Sequence, residues 1–192
     1  MKEPEPLIPK YGGWRKLKSF RMAQLVHEVT ALFCEQYVEE ESQACDRMLQ
    51  AAETAAQKIA EGSQAGERSK KAELKLTRIA RASLEDLRKI YVAFMRRAPL
   101  PVWDAEDARS AELAVRRPKT LDDVAQWANW VAEQRGQDEP DAETVANGAL
   151  ALIAMALSLL DRQTSAQSRI VDEEARLAER LRQRRLADWP DW

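Results

Sequence analysis

The sequence predicts an all-α fold, a four-helix bundle with short extra helices between helices three and four and a C-terminal helical extension. Three observations carry that expectation. Alanine, leucine, glutamate and arginine dominate 192 residues that hold only 6 glycines and 3 phenylalanines, a balance that favours helices over sheets. Apolar residues recur at helical spacing over several long stretches. A chain of this length is also sufficient to bury one substantial core.

Residues 1–13, with three prolines and the pair Gly12-Gly13, read as an extended N-terminal arm. Residues 14–97 carry helices one to three. Helix one is expected from Ser19 to Glu40, with Leu25, Val26, Val29, Leu32, Phe33 and Tyr37 on one face. Helix two, from Asp46 to Ala60, has a seam of small residues (Ala51, Ala52, Ala55 and Ala56) between Met48 and Ile59. Such a seam lets another helix approach closely. Helix three, Ser69 to Arg97, shows the clearest stripe: Leu76, Ala80, Ser83, Leu84, Leu87, Ile90, Tyr91 and Phe94. Pro99 and Pro101 end it.

Residues 98–140 form a connection with two short helices, the first around Asp104 to Val115. The second begins at Thr120, where Thr120 and Asp123 have the spacing of a capping box, and it places Trp127 and Trp130 on a shared face. Residues 141–185 are helix four and its extension, expected to be bent or broken along the way. The first half is nearly all apolar or small. In the second half Ile170, Leu177 and Leu181 make a stripe among charges, and residues 186–192 form a non-helical tail.

The segment from Ile59 to Ser69 contains Gly62 and Gly66 and invites comparison with a phosphate-binding loop. A P-loop requires G-x-x-x-x-G-K-[ST] after a strand; here the glycines are four apart, Glu67 follows the second, and the flanks are helical. The segment is therefore read as a corner, with Gly62 in the left-handed conformation closing helix two and Ser69 capping helix three.

No reaction chemistry stands out. His27 is the only histidine, whereas a di-iron bundle needs two Glu-x-x-His pairs. Cys34 and Cys45 match no metal-ligand spacing and read as reduced thiols, and Glu61 reads as the partner of a nearby base or the cap of a backbone group. Neither an enzyme nor a cofactor or metal site is expected. The N-terminus lacks a secretory or import pattern, and the longest apolar run, residues 148–160, is shorter than the roughly 20 residues of a spanning helix. The expectation is a cytoplasmic protein with no membrane contact.

The net charge of −2 conceals an asymmetry. Residues 10–97 hold 17 Lys and Arg against 12 Asp and Glu, a balance of +5, while residues 98–192 hold 12 against 18, a balance of −6. The basic half contains "KYGGWRKLKSFR", in which Lys10, Arg15, Lys16, Lys18 and Arg21 alternate with Tyr11, Trp14 and Phe20. That mixture suits phosphate contacts with a base stacked on Trp14; Trp14 and Phe20 could equally dock the arm on its own helices. On helix three, Lys71, Lys75, Arg78 and Lys89 lie on one face, opposite the apolar stripe. An RNA or single-stranded DNA surface built from Lys10, Trp14, Arg15, Lys16, Lys18, Arg21, Lys71, Lys75 and Arg78 is one expectation, and a solvated face is its competitor. A protein-interaction scaffold is the other reading. Trp103, Trp127, Trp130, Trp189 and Trp192 favour an interface in the C-terminal half, although core packing is the stronger account of Trp127 and Trp130.

The segments "GGWRKLKSF", "AQLVHEVTALFC", "DRMLQAAETAAQKIAEGS", "SKKAELKLTRIARASLEDL" and "ANGALALIAMALSLLDRQ" resemble the four-helix-bundle proteins related to the ribosomal-RNA intervening-sequence protein, in the longer group with a four-helix-bundle suffix domain. The resemblance runs from about Gly12 to Arg182. Lys58, at a position where asparagine is usual, and "SQACDRM" depart from the family pattern at polar sites. The resemblance implies a homo-oligomer, a pentamer by analogy. A distant relative, the accessory variability determinant of diversity-generating retroelements, implies work beside a nucleic acid and a protein partner.

Overall fold

The computed structural model describes residues 13–39, 42–104 and 106–187. Among these the chain is all-helical, with no strand: a 3-10 turn (Gly13–Lys16) and six α-helices, α1 (Lys18–Tyr37), α2 (Gln43–Ala65), α3 (Lys70–Arg97), α4 (Ala108–Arg116), α5 (Leu121–Gln134) and α6 (Ala142–Ala187). Most of the expected extended arm and most of the expected tail lie outside the described residues, as do Lys10, Tyr11, Trp189 and Trp192.

All six helices contribute to the core, with Leu113 from α4 and Val124, Trp127, Ala128 and Val131 from α5 joining residues of the four longer helices. α1 packs on α2, α2 on α3, α3 on α6 and α6 on α1, while α4 and α5 lie against α6. Each presents the face that its periodicity marks: Leu25, Val26, Val29 and Phe33 from α1, Met48, Ala52, Ala55 and Ile59 from α2, and Ala80, Leu84, Leu87, Tyr91 and Met95 from α3 are buried. Leu32 and Tyr37, expected on the same face of α1, are half-buried at its edge. One buried polar pair crosses the core, where the Tyr91 hydroxyl donates to Thr30 Oγ1 at 3.1 Å and Thr30 donates on to the Val26 carbonyl at 2.7 Å. Burial pushes the Tyr91 hydroxyl pKa upward.

The helix ends follow local chemistry. Ser42 Oγ accepts from the Ala44 N–H, and Ser69 Oγ from the Ala72 N–H, each at 3.2 Å. Thr120 and Asp123 complete the capping box: Thr120 Oγ1 accepts from the Asp123 N–H, and Asp123 Oδ2 from the Thr120 N–H. Asp141 Oδ1 accepts from the Thr144 N–H at 2.9 Å and opens α6. Two sequence expectations need correction. α2 does not end at Gly62 but continues to Ala65, and the turn starts at Gly66 with φ −60° and ψ −22°. Gly62 serves a different need, because a Cβ there would stand 3.2 Å from Leu76 Cβ and 3.4 Å from the Glu73 carbonyl. The missing side chain brings α2 and α3 together. The second correction concerns α6, which is not broken into segments: it runs as one helix of 46 residues.

α6 also contains an apolar window long enough, by length and composition, to cross a bilayer, and 56% of that window is buried within the protein. The uninterrupted apolar run within α6, residues 148–160, is shorter than that window. Ala146, Ala149, Leu152, Ile153, Ala156 and Leu160 point into the core. Leu150, Met155 and Leu159 are half-buried, so the apolar surplus of this half is largely covered by the chain's own helices.

The two thiols lie where α1 and α2 meet. Cys34 is buried, directs its thiol toward the Cys45 carbonyl at 4.0 Å, and has its pKa pushed up to about 12, first by burial and then by the hydrogen bond to Cys45. At pH 8 about one Cys34 in ten thousand is then ionised. A chromogenic disulfide reagent should consume at most one thiol equivalent rapidly from the native chain and the second only on unfolding. Two rapid equivalents would show that α1 and α2 separate in the native state.

Candidate nucleic-acid interface

Two basic segments far apart in sequence reach the same end of the molecule. Ser19 Oγ, at the start of α1, donates to Gln163 Oε1 on α6 at 2.6 Å. Gln167 Nε2, one turn further along α6, donates to Glu73 Oε1 at the start of α3 at 3.0 Å. Four residues of helix span about 6 Å, so the beginnings of α1 and α3 stand at nearly one level. α1 and α3 both pack on α6, and they meet each other across the core through Thr30 and Phe33 of α1 and Tyr91 and Phe94 of α3.

On the α3 side Lys71, Lys75 and Arg78 are exposed along one edge of the helix. They line an open groove with Ile79 of α3 and with Ser168, Val171 and Asp172 of α6. None of the three forms an ion pair among the described residues. Their neighbours do: Lys70 pairs with Glu73, Arg81 with Asp161 and Glu85, Arg88 with Glu85 and Lys89 with Asp86. The groove edge therefore keeps its positive charge, as Arg96 and Arg97 do at the far end of α3, whereas the charges of Lys70, Arg81, Arg88 and Lys89 are met by acids. Lys89, grouped with this face by periodicity, is committed to Asp86 and stands about 16 Å further along the helix axis.

On the α1 side the 3-10 turn folds back onto α1 and α2. The Leu17 N–H donates to the Trp14 carbonyl at 3.0 Å, and Arg21 Nε donates to the Arg15 carbonyl at 3.1 Å. Arg15, Lys16, Lys18 and Arg21 are exposed. Trp14 is half-buried, meets Phe20 edge to face at 4.5 Å between ring centroids, and carries the Arg15 guanidinium 4.1 Å from its own centroid. Of the two expectations for this ring, docking on its own helices describes what is seen; Trp14 anchors the segment that holds the cations.

A second polar constellation, at the start of α6, had no signature in the sequence. The Trp103 N–H donates to Asn147 Oδ1 at 2.8 Å and its indole N–H to Glu143 Oε1 at 2.7 Å. Asn147 Nδ2 donates to the Pro101 and Glu143 carbonyls. Arg109 lies 3.7 Å over the Trp103 ring and pairs with Asp107, and Arg135 reaches both Asp141 and Glu143. The hydrogen bond from Arg109 holds the Asp107 carboxyl below its usual range. Burial works against ionisation of Asp141, but the N–H and hydroxyl of Thr144, with Gln137 and Arg135, outweigh it and keep that pKa low as well. Most of these groups satisfy one another, the buried Gln137 Oε1 being an exception, and the constellation clamps Pro101, Trp103 and Arg109 to α6. The contacts that tie Pro101, Trp103 and Arg109 to α6 join residues 34 to 46 apart in sequence, beyond the range of any periodicity.

Among the described residues, the tryptophans of the C-terminal half are likewise spent on packing. Trp127 is fully buried with its N–H on the Arg109 carbonyl at 2.9 Å. Trp130 is half-buried with Arg116 over its ring at 5.1 Å. Glu61 pairs with Lys58 at 2.6 Å. Among the described residues no group of three or more His, Cys, Asp or Glu is placed to hold a metal ion. No protein-family model, curated protein or solved structure matches the chain.

Proposed function

We propose that this chain is a non-catalytic, self-assembling four-helix bundle of the cytoplasm that binds RNA or single-stranded DNA through the basic end from which α6 emerges. The edge of Lys71, Lys75 and Arg78, unpaired among the described residues, carries the proposal, with Arg15, Lys16, Lys18 and Arg21 exposed near the start of α1, at a similar level along α6. A polyanion needs cations that no carboxylate already neutralises, and the strength of the contact grows with the number of phosphates reached. A net charge of −2 limits what one copy achieves, so several copies presenting this end together strengthen the contact through multivalency. The resemblance to the intervening-sequence family supports both the assembly and the nucleic-acid partner.

The test is fluorescence anisotropy with labelled RNA and single-stranded DNA across a salt series. Binding should weaken steeply as salt rises, because each neutralised phosphate releases condensed counterions. Lys75→Glu together with Arg78→Glu should weaken binding to all sequences alike and flatten the salt slope by about 2. Absence of binding at about 50 mM salt, where such contacts are strong, would end the nucleic-acid reading. The alternative is a protein-interaction scaffold, favoured by one specific observation: the apolar stripe that α6 exposes beyond the body of the fold.

A further inference from the structure

The last 20 residues of α6 leave the packed body. Gln167 is the final buried residue; from Arg169 to Arg185 every side chain is exposed except half-buried Val171. At 1.5 Å per residue this extension is about 25 Å long. An isolated solvated helix needs no apolar side, yet this one has Ile170 at 42%, Leu177 at 52% and Leu181 at 51% exposure. At 100° per residue those three fall within about 20° of one line, and Glu174 and Arg184 complete the same strip. The spacing from 170 through 174, 177 and 181 to 184 alternates four and three residues, the seam of a two-helix coiled coil.

The charges say what covers the seam. Residues 172–174 are Asp-Glu-Glu, whereas Arg180, Arg182, Arg184 and Arg185 crowd the other end. In a parallel pair like charge faces like charge throughout. In an antiparallel pair, aligning Leu177 with the partner's Leu181 also aligns Glu174 with the partner's Arg184, and the two-fold axis makes each contact occur twice. Neither Glu174 nor Arg184 has an ionic partner among the described residues, although Glu179 nearby is taken by Arg182.

We propose that the exposed α6 extension is a self-complementary docking surface whose partner is the same extension of a second copy, paired antiparallel in this register. The inference rests on the self-assembly proposed above and names its contact. Paired in this way, two extensions hold two bodies apart with the basic ends facing one another along a short helical stalk.

Sedimentation velocity over a concentration series tests the proposal on the full chain. Wild type should exceed the monomer mass of 21.8 kDa. Leu177→Glu with Leu181→Glu should raise the dissociation constant at least about a hundredfold without loss of helical circular dichroism, since neither residue serves the core. Glu174→Arg and Arg184→Glu should each weaken association, and the two combined in one chain should restore it. Ala178→Cys lies beside the two-fold axis and should cross-link to its own copy on oxidation. Ile170→Cys, about 27 Å from its symmetry mate in the antiparallel register, should not. Self-cross-linking at position 170, or failure of the paired reversal to restore association, overturns the antiparallel register. A larger mass indifferent to the double leucine substitution overturns the stalk, leaves self-assembly standing and assigns the stripe to a different partner. A mass of 21.8 kDa at every concentration overturns both.

Discussion

Truncating Trp127 to alanine is expected to lower stability by about 3 to 5 kcal/mol, the range for removing a fully buried large aromatic ring. Trp127 is the largest side chain with no solvent exposure, and three sets of contacts fix it. Its N–H is held by the Arg109 carbonyl of α4, its ring meets Trp103 edge to face with centroids 6.1 Å apart, and its far edge lies against α6 at Gly148. A Cβ built on Gly148 would stand 2.5 Å from the ring. The ring is thus a wedge joining α5, α4 and the connection to α6, and little around it can collapse into the space it leaves. For a chain of this size each kcal/mol moves Tm by about 2 to 4 °C, so Trp127→Ala should melt roughly 6 to 20 °C lower by circular dichroism. Gly148→Ala should also destabilise, through overlap with the ring. In the Trp127→Ala background the added methyl has room, so the double variant should lose less than the sum of the singles. Additive losses, or a Trp127→Ala melt within about 2 °C of wild type, would mean that α5 does not pack cooperatively on α6.

The same pair shows where sequence reasoning stops. Periodicity marked Trp127 as one of two aromatics on a helix face, and it marked α6 as apolar. It carried no information that the absent side chain at Gly148 is the seat of that ring, because the contact joins residues 21 apart through the spatial arrangement of two helices. Gly62 is the same lesson at closer range. A glycine near a turn reads as a left-handed terminator, but in space it is a point where the backbone of α2 lies close against Leu76 and Glu73 of α3. What was legible depends on local rules: the stripe of α3, the Ser69 cap, and the Thr120 and Asp123 capping box each involve residues within a turn or a few turns of one another. In the candidate interface, sequence supplied the cations but not their grouping. It could not separate Lys71, Lys75 and Arg78, which remain unpaired, from Lys89, which an acid on the same helix neutralises. Nor could it choose between a stacking and an anchoring role for Trp14, since the choice depends on whether Phe20 and Arg15 meet that ring.

Leu87→Ala is expected to cost about 2 to 5 kcal/mol, which corresponds to a Tm lower by roughly 4 to 20 °C. Leu87 has no solvent exposure and sits on the stretch of α3 that packs against both α2 and α6. Where the loss falls in that range depends on how far the surroundings can close over the vacated volume. One turn beyond, Tyr91 is fully buried and tied through its hydroxyl to Thr30 of α1, and one turn before, Leu84 is fully buried too. A ring held by a hydrogen bond to another helix cannot swing into the gap without giving up that bond, which places the expected cost in the upper part of the range. Lys89→Ala on the same helix is the control. Its side chain is exposed and its pair with Asp86 is a surface contact one turn apart, so its removal should change stability by less than about 0.5 kcal/mol. Urea unfolding of both variants gives the comparison directly. Equal midpoints for Leu87→Ala and Lys89→Ala would show that α3 does not use its apolar stripe to hold α2 and α6 together, and the arrangement of helices around it would have to be abandoned.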